Sequence, residues 1–235
     1  MYLKALIPRH LRLMYKLLDR AMQDRKQGGG HQFASAGKAP ADWPFILSIQ
    51  QPILPGVFFE NKTGNMRLAA ASINRVVVWP GQVFSFWAAV GWPNRFKGYR
   101  LSRNLINGKI RFAYGGGICQ VSGILYHLSL MAGLDIRERH NHSLDIYTEA
   151  ERFTPLGADA TVVYGYKDLR IRNNTEHPIR FEISITGNEI SAQLRSAGWI
   201  NARPVIFERT EMPPKRRVVT LVDGVAVAES FYLVI

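Results

Sequence analysis

The chain has 235 residues, 47% of them apolar, which is enough for a sizeable core and for one large or two small domains. Thirty Lys and Arg against eighteen Asp and Glu give a formal charge of +12, a field that attracts nucleic acid, anionic lipid or acidic polymers. A single cysteine excludes an internal disulfide framework and any multi-cysteine metal site, so Cys119 is either a small buried hydrophobe or a chemically useful thiol.

In chain order, Leu11, Met14, Leu17, Leu18 and Ala21 recur at helical spacing with Arg12, Lys16 and Arg20 on the other sides, so residues 1–27 read as a basic amphipathic helix. Such a helix either packs its apolar stripe on the main domain or lies on an anionic membrane surface. Residues 28–41, rich in Gly, Ala and Ser, read as a flexible linker, leaving a main domain at 42–200 and a C-terminal β-hairpin extension at 201–235. No apolar run approaches the roughly 20 residues that span a bilayer, and the start lacks the pattern of a signal peptide. The expected location is therefore cytoplasmic or at the inner membrane, unless the true start lies upstream.

Asn65 to Val78 predicts a helix followed by the β-branched strand Val76-Val77-Val78. After the turn Pro80-Gly81, the run Val83-Phe84-Ser85-Phe86-Trp87 reads as a strand with Ser85 opposite Phe84 and Phe86. The clearest helix begins after Gly115-Gly116-Gly117, with Val121, Ile124, Leu125, Leu128 and Met131 as its stripe and Ala132-Gly133 as its end. Strand-like runs follow at Thr161–Tyr164, Leu169–Arg172, Ile179–Ile185 and Glu189–Leu194, with Gly187-Asn188 and Asp223-Gly224 as two-residue hairpin turns. The fold class is α+β: mainly antiparallel sheet, a central helix starting at Gly-Gly-Gly-x-Cys, and the N-terminal helix.

Cys119 falls in the first turn of that central helix, where free backbone N–H groups and the positive end of the helix dipole favour a thiolate nucleophile. Three glycines before it allow a tight loop and close approach of a substrate or another chain, or form a plain sharp turn. A histidine is needed to manage the proton. His127 lies two helical turns on, about 12 Å along the axis, too far for direct transfer. His140 and His142 remain; on a strand they share a face, so they also read as a metal pair, for which no third ligand is evident. Asp159, Asp168 and Asn173 are available to orient the base. No P-loop, GxGxxG in context or HExxH is present.

Taken together, Pro80–Trp87, Gly115–Ser122, Glu138–Ser143, Gly157–Val162 and Asp168–Thr175 resemble, in order, the motifs of the VanW family, over roughly residues 60 to 195. The family is named for an accessory protein of vancomycin-resistance gene clusters. Some multi-domain relatives are associated with L,D-transpeptidation of peptidoglycan, in which a cysteine takes an acyl group from one stem peptide and passes it to the amine of another. The resemblance implies Cys119 as nucleophile and His142 as base, at the histidine of the family's Glu-Arg-x-x-His pattern, with His140 on a variable position. Asp159 matches the aspartate of the Gly-x-Asp-Ala segment and is expected to orient His142 or bind substrate. Gly115, Gly116, Gly117, Gln120, Ser122, Ser85 and Tyr164 are the expected substrate contacts. Neither a cofactor nor a metal is expected.

The leading expectation is a cysteine acyl transferase or peptidase acting on peptidoglycan stem peptides or cell-wall precursors. The competing one is a non-catalytic peptidoglycan or precursor-binding module accessory to glycopeptide resistance, with Gly115 to Gly117 and the aromatic Phe84, Phe86 and Trp87 shaping a groove. A nucleic-acid site has little support, because the basic residues beyond the N-terminal helix are scattered and accompany no known motif.

Overall fold

In a computed structural model of the protein, which describes residues 8–26, 33–38, 40–106, 109–145 and 152–234, helix α4 (Ile118–Met131) lies at the centre. Ile118, Val121, Ile124, Leu125, Tyr126, Leu128 and Leu130 are all buried, on more than one face. A helix so apolar must be enclosed on all sides. On one side it meets α2 (Phe59–Ile73), whose buried Met66, Ala69 and Ala70 include small residues that permit close packing. On another it meets a five-stranded antiparallel sheet in the order β1 (Ser35–Ala36), β3 (Val76–Val78), β10 (Ile179–Thr186), β11 (Glu189–Ser196), β2 (Phe45–Pro52). Along β11, Ile190, Ala192 and Leu194 alternate inward, as one covered face of an antiparallel sheet requires.

Three smaller sheets surround this unit. β4 (Val83–Ser85), β9 (Arg170–Arg172) and β7 (Asp135–Glu138) form one, and β5 (Leu101–Ile106) pairs with β6 (Lys109–Tyr114) as another. The third contains β12 (Val205–Met212), β13 (Lys215–Val222) and β14 (Val225–Val234), with β8 (Leu144–Asp145) added in parallel to β14. Nearly all described strand pairs are antiparallel, so the fold is α+β as expected. Both expected hairpin turns are present: Gly187-Asn188 joins β10 to β11, and Asp223-Gly224, with positive φ at both residues, joins β13 to β14.

Several local expectations change. The first described helix, α1, spans Arg9–Lys26; residues 1–7, 27–32 and 39, which carry parts of the expected N-terminal helix and linker, lie outside the described residues. Within the stretch expected as a linker, Phe33 bridges Val83, Ala34 is buried, and Ser35 and Ala36 pair with Val77 and Val76. Backbone pairing at a sheet edge does not need large side chains, so composition alone missed it. The strand from Val83 stops at Ser85 because Ser85 caps the short helix α3 (Phe86–Val90), accepting a bond from the Ala88 N–H. Thr161–Tyr164 is not a regular strand but an extended segment with a bridge between Val163 and Lys167. The segment after residue 200 is a sheet of three sequential strands rather than one hairpin.

Candidate functional site around Cys119

Gly117 is the N-cap of α4 at φ 99°, a conformation that residues with a side chain rarely adopt, and it opens the helix on which Cys119 follows. Gly116 meets a different constraint, since a Cβ there would come within 2.7 Å of the Ser102 carbonyl. Asn65 on α2 fixes the loop by donating to the Gly116 carbonyl at 3.0 Å and to the Arg100 carbonyl at 2.9 Å. The glycines thus bring the loop against β5 and α2, and in the first turn of α4 Cys119 is half-buried between the buried Ile118 and Gln120.

The half-buried Cys119 sulfur lies 3.9 Å from the Val162 carbonyl, and it is close enough to His142 to favour the protonated imidazole. His142 Nδ1 is 2.6 Å from Asp159 Oδ2, and the same oxygen accepts the His142 backbone N–H at 2.6 Å. An ionised carboxylate only accepts, so Nδ1 carries a proton and Nε2 is left for the sulfur. Burial of His142 opposes its protonation, but the hydrogen bond and charge of Asp159, with the sulfur's contribution, carry the imidazole up to about 10.

Asp159 is itself surrounded by donors. Oδ1 accepts from Arg139 Nη2 at 3.0 Å and from the Tyr232 hydroxyl at 2.6 Å. Burial would raise its pKa, but the bonds and charges of His142 and Arg139 and the bond from Tyr232 hold it far below the usual carboxylate range. Arg139, with its side chain 7% exposed, also donates to the Asp159 and Gly157 carbonyls and lies over the Tyr126 ring at 4.8 Å. The result is an imidazole–carboxylate pair beside the sulfur, with the carboxylate anchored by a buried guanidinium and a phenol.

The histidines do not share a face. β7 ends at Glu138 with a register irregularity before it, so residues 139–143 leave the strand geometry that would keep both imidazoles on one side. His140 turns to Glu138, its Nε2 2.9 Å from Oε1, while His142 turns to Asp159. Among the described residues no cluster of three or more His, Cys, Asp or Glu could hold a metal ion. His127 is at the other end of α4, edge-on to Phe207.

Of the expected substrate contacts, Gly115, Gly116 and Gly117 shape the loop at the cysteine. Three others serve the scaffold. Ser85 is 4% exposed and donates to Asp168 at 2.6 Å; Gln120 donates to the Pro52 carbonyl at 2.8 Å; Ser122 is fully buried and donates to the Ala160 carbonyl at 2.6 Å. Each satisfies a buried backbone or carboxylate acceptor. Ser122 in particular ties α4 to the segment carrying Asp159. Asp168 and Asn173, the other candidate orienting groups, are similarly occupied: Asp168 accepts from Ser85, and Asn173 donates to the Val78 and His177 carbonyls.

Tyr164 follows the segment touching the sulfur and sits edge-on to Trp87 at 5.5 Å and stacked on the exposed Trp92 at 6.5 Å. Phe84 and Phe86, expected to line a groove, are in the core at 1% and 0% exposure. Sequence reasoning did not single out Arg139, Tyr232 or Lys62. The Tyr232 signal was present as inward alternation of Ser230 and Tyr232 along β14, polar groups on a buried face. Lys62 runs beside Gly117, and burial, then the charge of Arg103, bring its amine down to about 8.

A family model described as VanW like protein matches residues 61–195. Over 138 residues the chain is 32% identical to the vancomycin B-type resistance protein VanW of Enterococcus faecalis, covering 59% of this chain and 50% of that protein. Over 144 residues it is 35% identical to the uncharacterized protein YoaR of Bacillus subtilis, covering 61% of this chain and 46% of that one. The chain thus spans about half the length of the curated relatives it matches. No solved structure matches it.

Proposed function

Given that the chain belongs to the VanW family, we propose that it is a cysteine acyl transferase acting on peptidoglycan stem peptides or cell-wall precursors. The observation that carries this reading is the 2.6 Å contact of Asp159 with His142 Nδ1, which leaves the other imidazole nitrogen to Cys119 at the start of a helix. Nucleophile, base and orienting group in that relation form the arrangement used in acyl transfer on many folds.

In the proposed reaction the Cys119 thiolate attacks the carbonyl carbon of a donor stem peptide, forming a C–S bond and an oxyanion. The Cys119 backbone N–H, in the first turn of α4, is the proposed donor to that oxyanion. The protonated His142 gives its Nε2 proton to the departing amine as the C–N bond breaks, leaving a thioester. The imidazole, now neutral, takes a proton from the acceptor amine as that amine attacks, and collapse of the second intermediate expels the thiolate. With water in place of the amine the same steps hydrolyse the donor. Lys62, beside Gly117, supplies a positive charge suited to a substrate carboxylate.

Incubation of the purified chain with defined donor and acceptor stem peptides, followed by mass spectrometry, tests the proposal. New amide-linked product is expected from the wild type and none from Cys119→Ala. Donor binding that survives Cys119→Ser, with no product or hydrolysis from the wild type, would instead indicate a non-catalytic binding module.

A further inference from the structure

The side of α1 that packs on the protein is not its most apolar side. Leu13 and Leu17 rest on Gly165, Arg20 forms a bidentate pair with Glu138 reaching 2.6 Å, and Asp24 forms another with Arg170. Glu138 is held down at about 2 despite its burial by hydrogen bonds from His140, Arg20 and the Asp168 N–H, so its charge persists to clasp the helix. Turned outward are Leu11, Met14, Tyr15, Leu18 and Met22, exposed by 47%, 57%, 65%, 62% and 52%. At 3.6 residues per turn these five fall within an arc of about 100°. They form a continuous apolar face on a helix held rigidly by its opposite side.

We propose that this outward face of α1 is a docking surface for an anionic lipid bilayer, with the helix lying in the plane of the headgroups. Charge selects this occupant. Asp24 is tied inward to Arg170 and Asp19 to Lys16, while Arg25 and Lys26 in the last turn are exposed beside the apolar arc. An apolar face with a basic rim and no unpaired acid fits acyl chains below and anionic headgroups alongside. A second copy on the same face would bring two basic rims together, and a nucleic acid would leave the apolar residues uncovered. No described helix is long and apolar enough to cross a membrane, so the contact is with the surface. The helix needs no folding on arrival, because its ion pairs already fix it. The inference stands apart from the acyl-transfer reading and uses none of its residues.

The test is flotation of the full chain with vesicles of phosphatidylcholine alone or mixed with phosphatidylglycerol. Binding to the mixed vesicles is expected, weakened by added salt and much weaker on phosphatidylcholine alone. Leu18→Glu, at a position 62% exposed, should lower the partition coefficient roughly tenfold or more while leaving the unfolding temperature unchanged. The paired change of Arg25→Gln and Lys26→Gln should weaken binding only on the anionic vesicles. The proposal is overturned if the wild type does not float with anionic vesicles, or if Leu18→Glu floats equally well. A concentration-dependent dimer that Leu18→Glu dissociates would also overturn it, assigning the face to a second copy.

Discussion

Replacing Asp159 by Asn removes one charge from the centre of the site and leaves the shape nearly unchanged. The carboxylate accepts from four donors: His142 Nδ1, the His142 N–H, Arg139 Nη2 and the Tyr232 hydroxyl. Whichever way the new amide turns, its NH2 faces donors, and Arg139 has no acceptor to offer. If it faces Nδ1, the imidazolium must give up its Nδ1 proton, leaving a neutral ring protonated only at Nε2. Raising an imidazole from 6.5 to about 10 corresponds to roughly 5 kcal/mol of differential stabilisation at about 1.4 kcal/mol per pH unit. Part of that is the Asp159 pairing, so a destabilisation of about 3–5 kcal/mol is expected, the cost of breaking a buried pair from one side.

The pH dependence has a definite sign. The folded-state pKa of His142 is raised, so its contribution is complete below about 6.5 and is lost as pH rises toward about 10. That of Asp159 is depressed, so its contribution is present above the usual carboxylate range and is lost in acid. Urea unfolding of wild type and Asp159→Asn should therefore show the widest gap between about pH 4 and 6.5, narrowing toward alkaline pH. A gap below about 1 kcal/mol, or one that widens from neutral to alkaline pH, would refute the argument.

Tyr232→Phe deletes one donor to a buried carboxylate and should cost about 1.5–3 kcal/mol in urea unfolding, less than Asp159→Asn. Ser85→Ala removes the cap of α3 and a bond to Asp168; it should lower stability by roughly 1–3 kcal/mol yet leave Cys119 alkylation per folded molecule unchanged, as iodoacetamide labelling would show. Gly116→Ala places a Cβ against the Ser102 backbone and should cost at least about 1–3 kcal/mol, with faster proteolysis of the loop.

What the sequence made legible was local or periodic. Cys119 at the head of an apolar helix, the hairpin turns and the inward alternation of the long strands all follow from patterns within a short window. His142 and Asp159 were legible through motif resemblance, and their meeting is a tertiary event that no spacing dictates. The inward alternation of Ser230 and Tyr232 marked Tyr232 as buried, but not its partner, because Asp159 lies 73 residues away in an irregular segment. Ser85 and Ser122 misled in the opposite direction. A serine near a functional motif looks available, but a capping hydroxyl and one bonded to a buried carbonyl have already found their partners. The stripe of α1 was visible, but which of its residues face the protein was not. That orientation is set by Glu138 and Arg170, two charged residues far along the chain.

The central claim is that Cys119 carries an acyl group with the help of His142. Intact-mass spectrometry of the chain mixed with a donor stem peptide, quenched in acid and mapped by proteolysis, tests it most directly. The account predicts an acyl adduct on Cys119 that hydroxylamine removes, that Cys119→Ala lacks, and that forms at least roughly a hundredfold more slowly in His142→Ala. A folded wild type that forms no adduct with any donor peptide, or an adduct whose rate ignores His142, would contradict it.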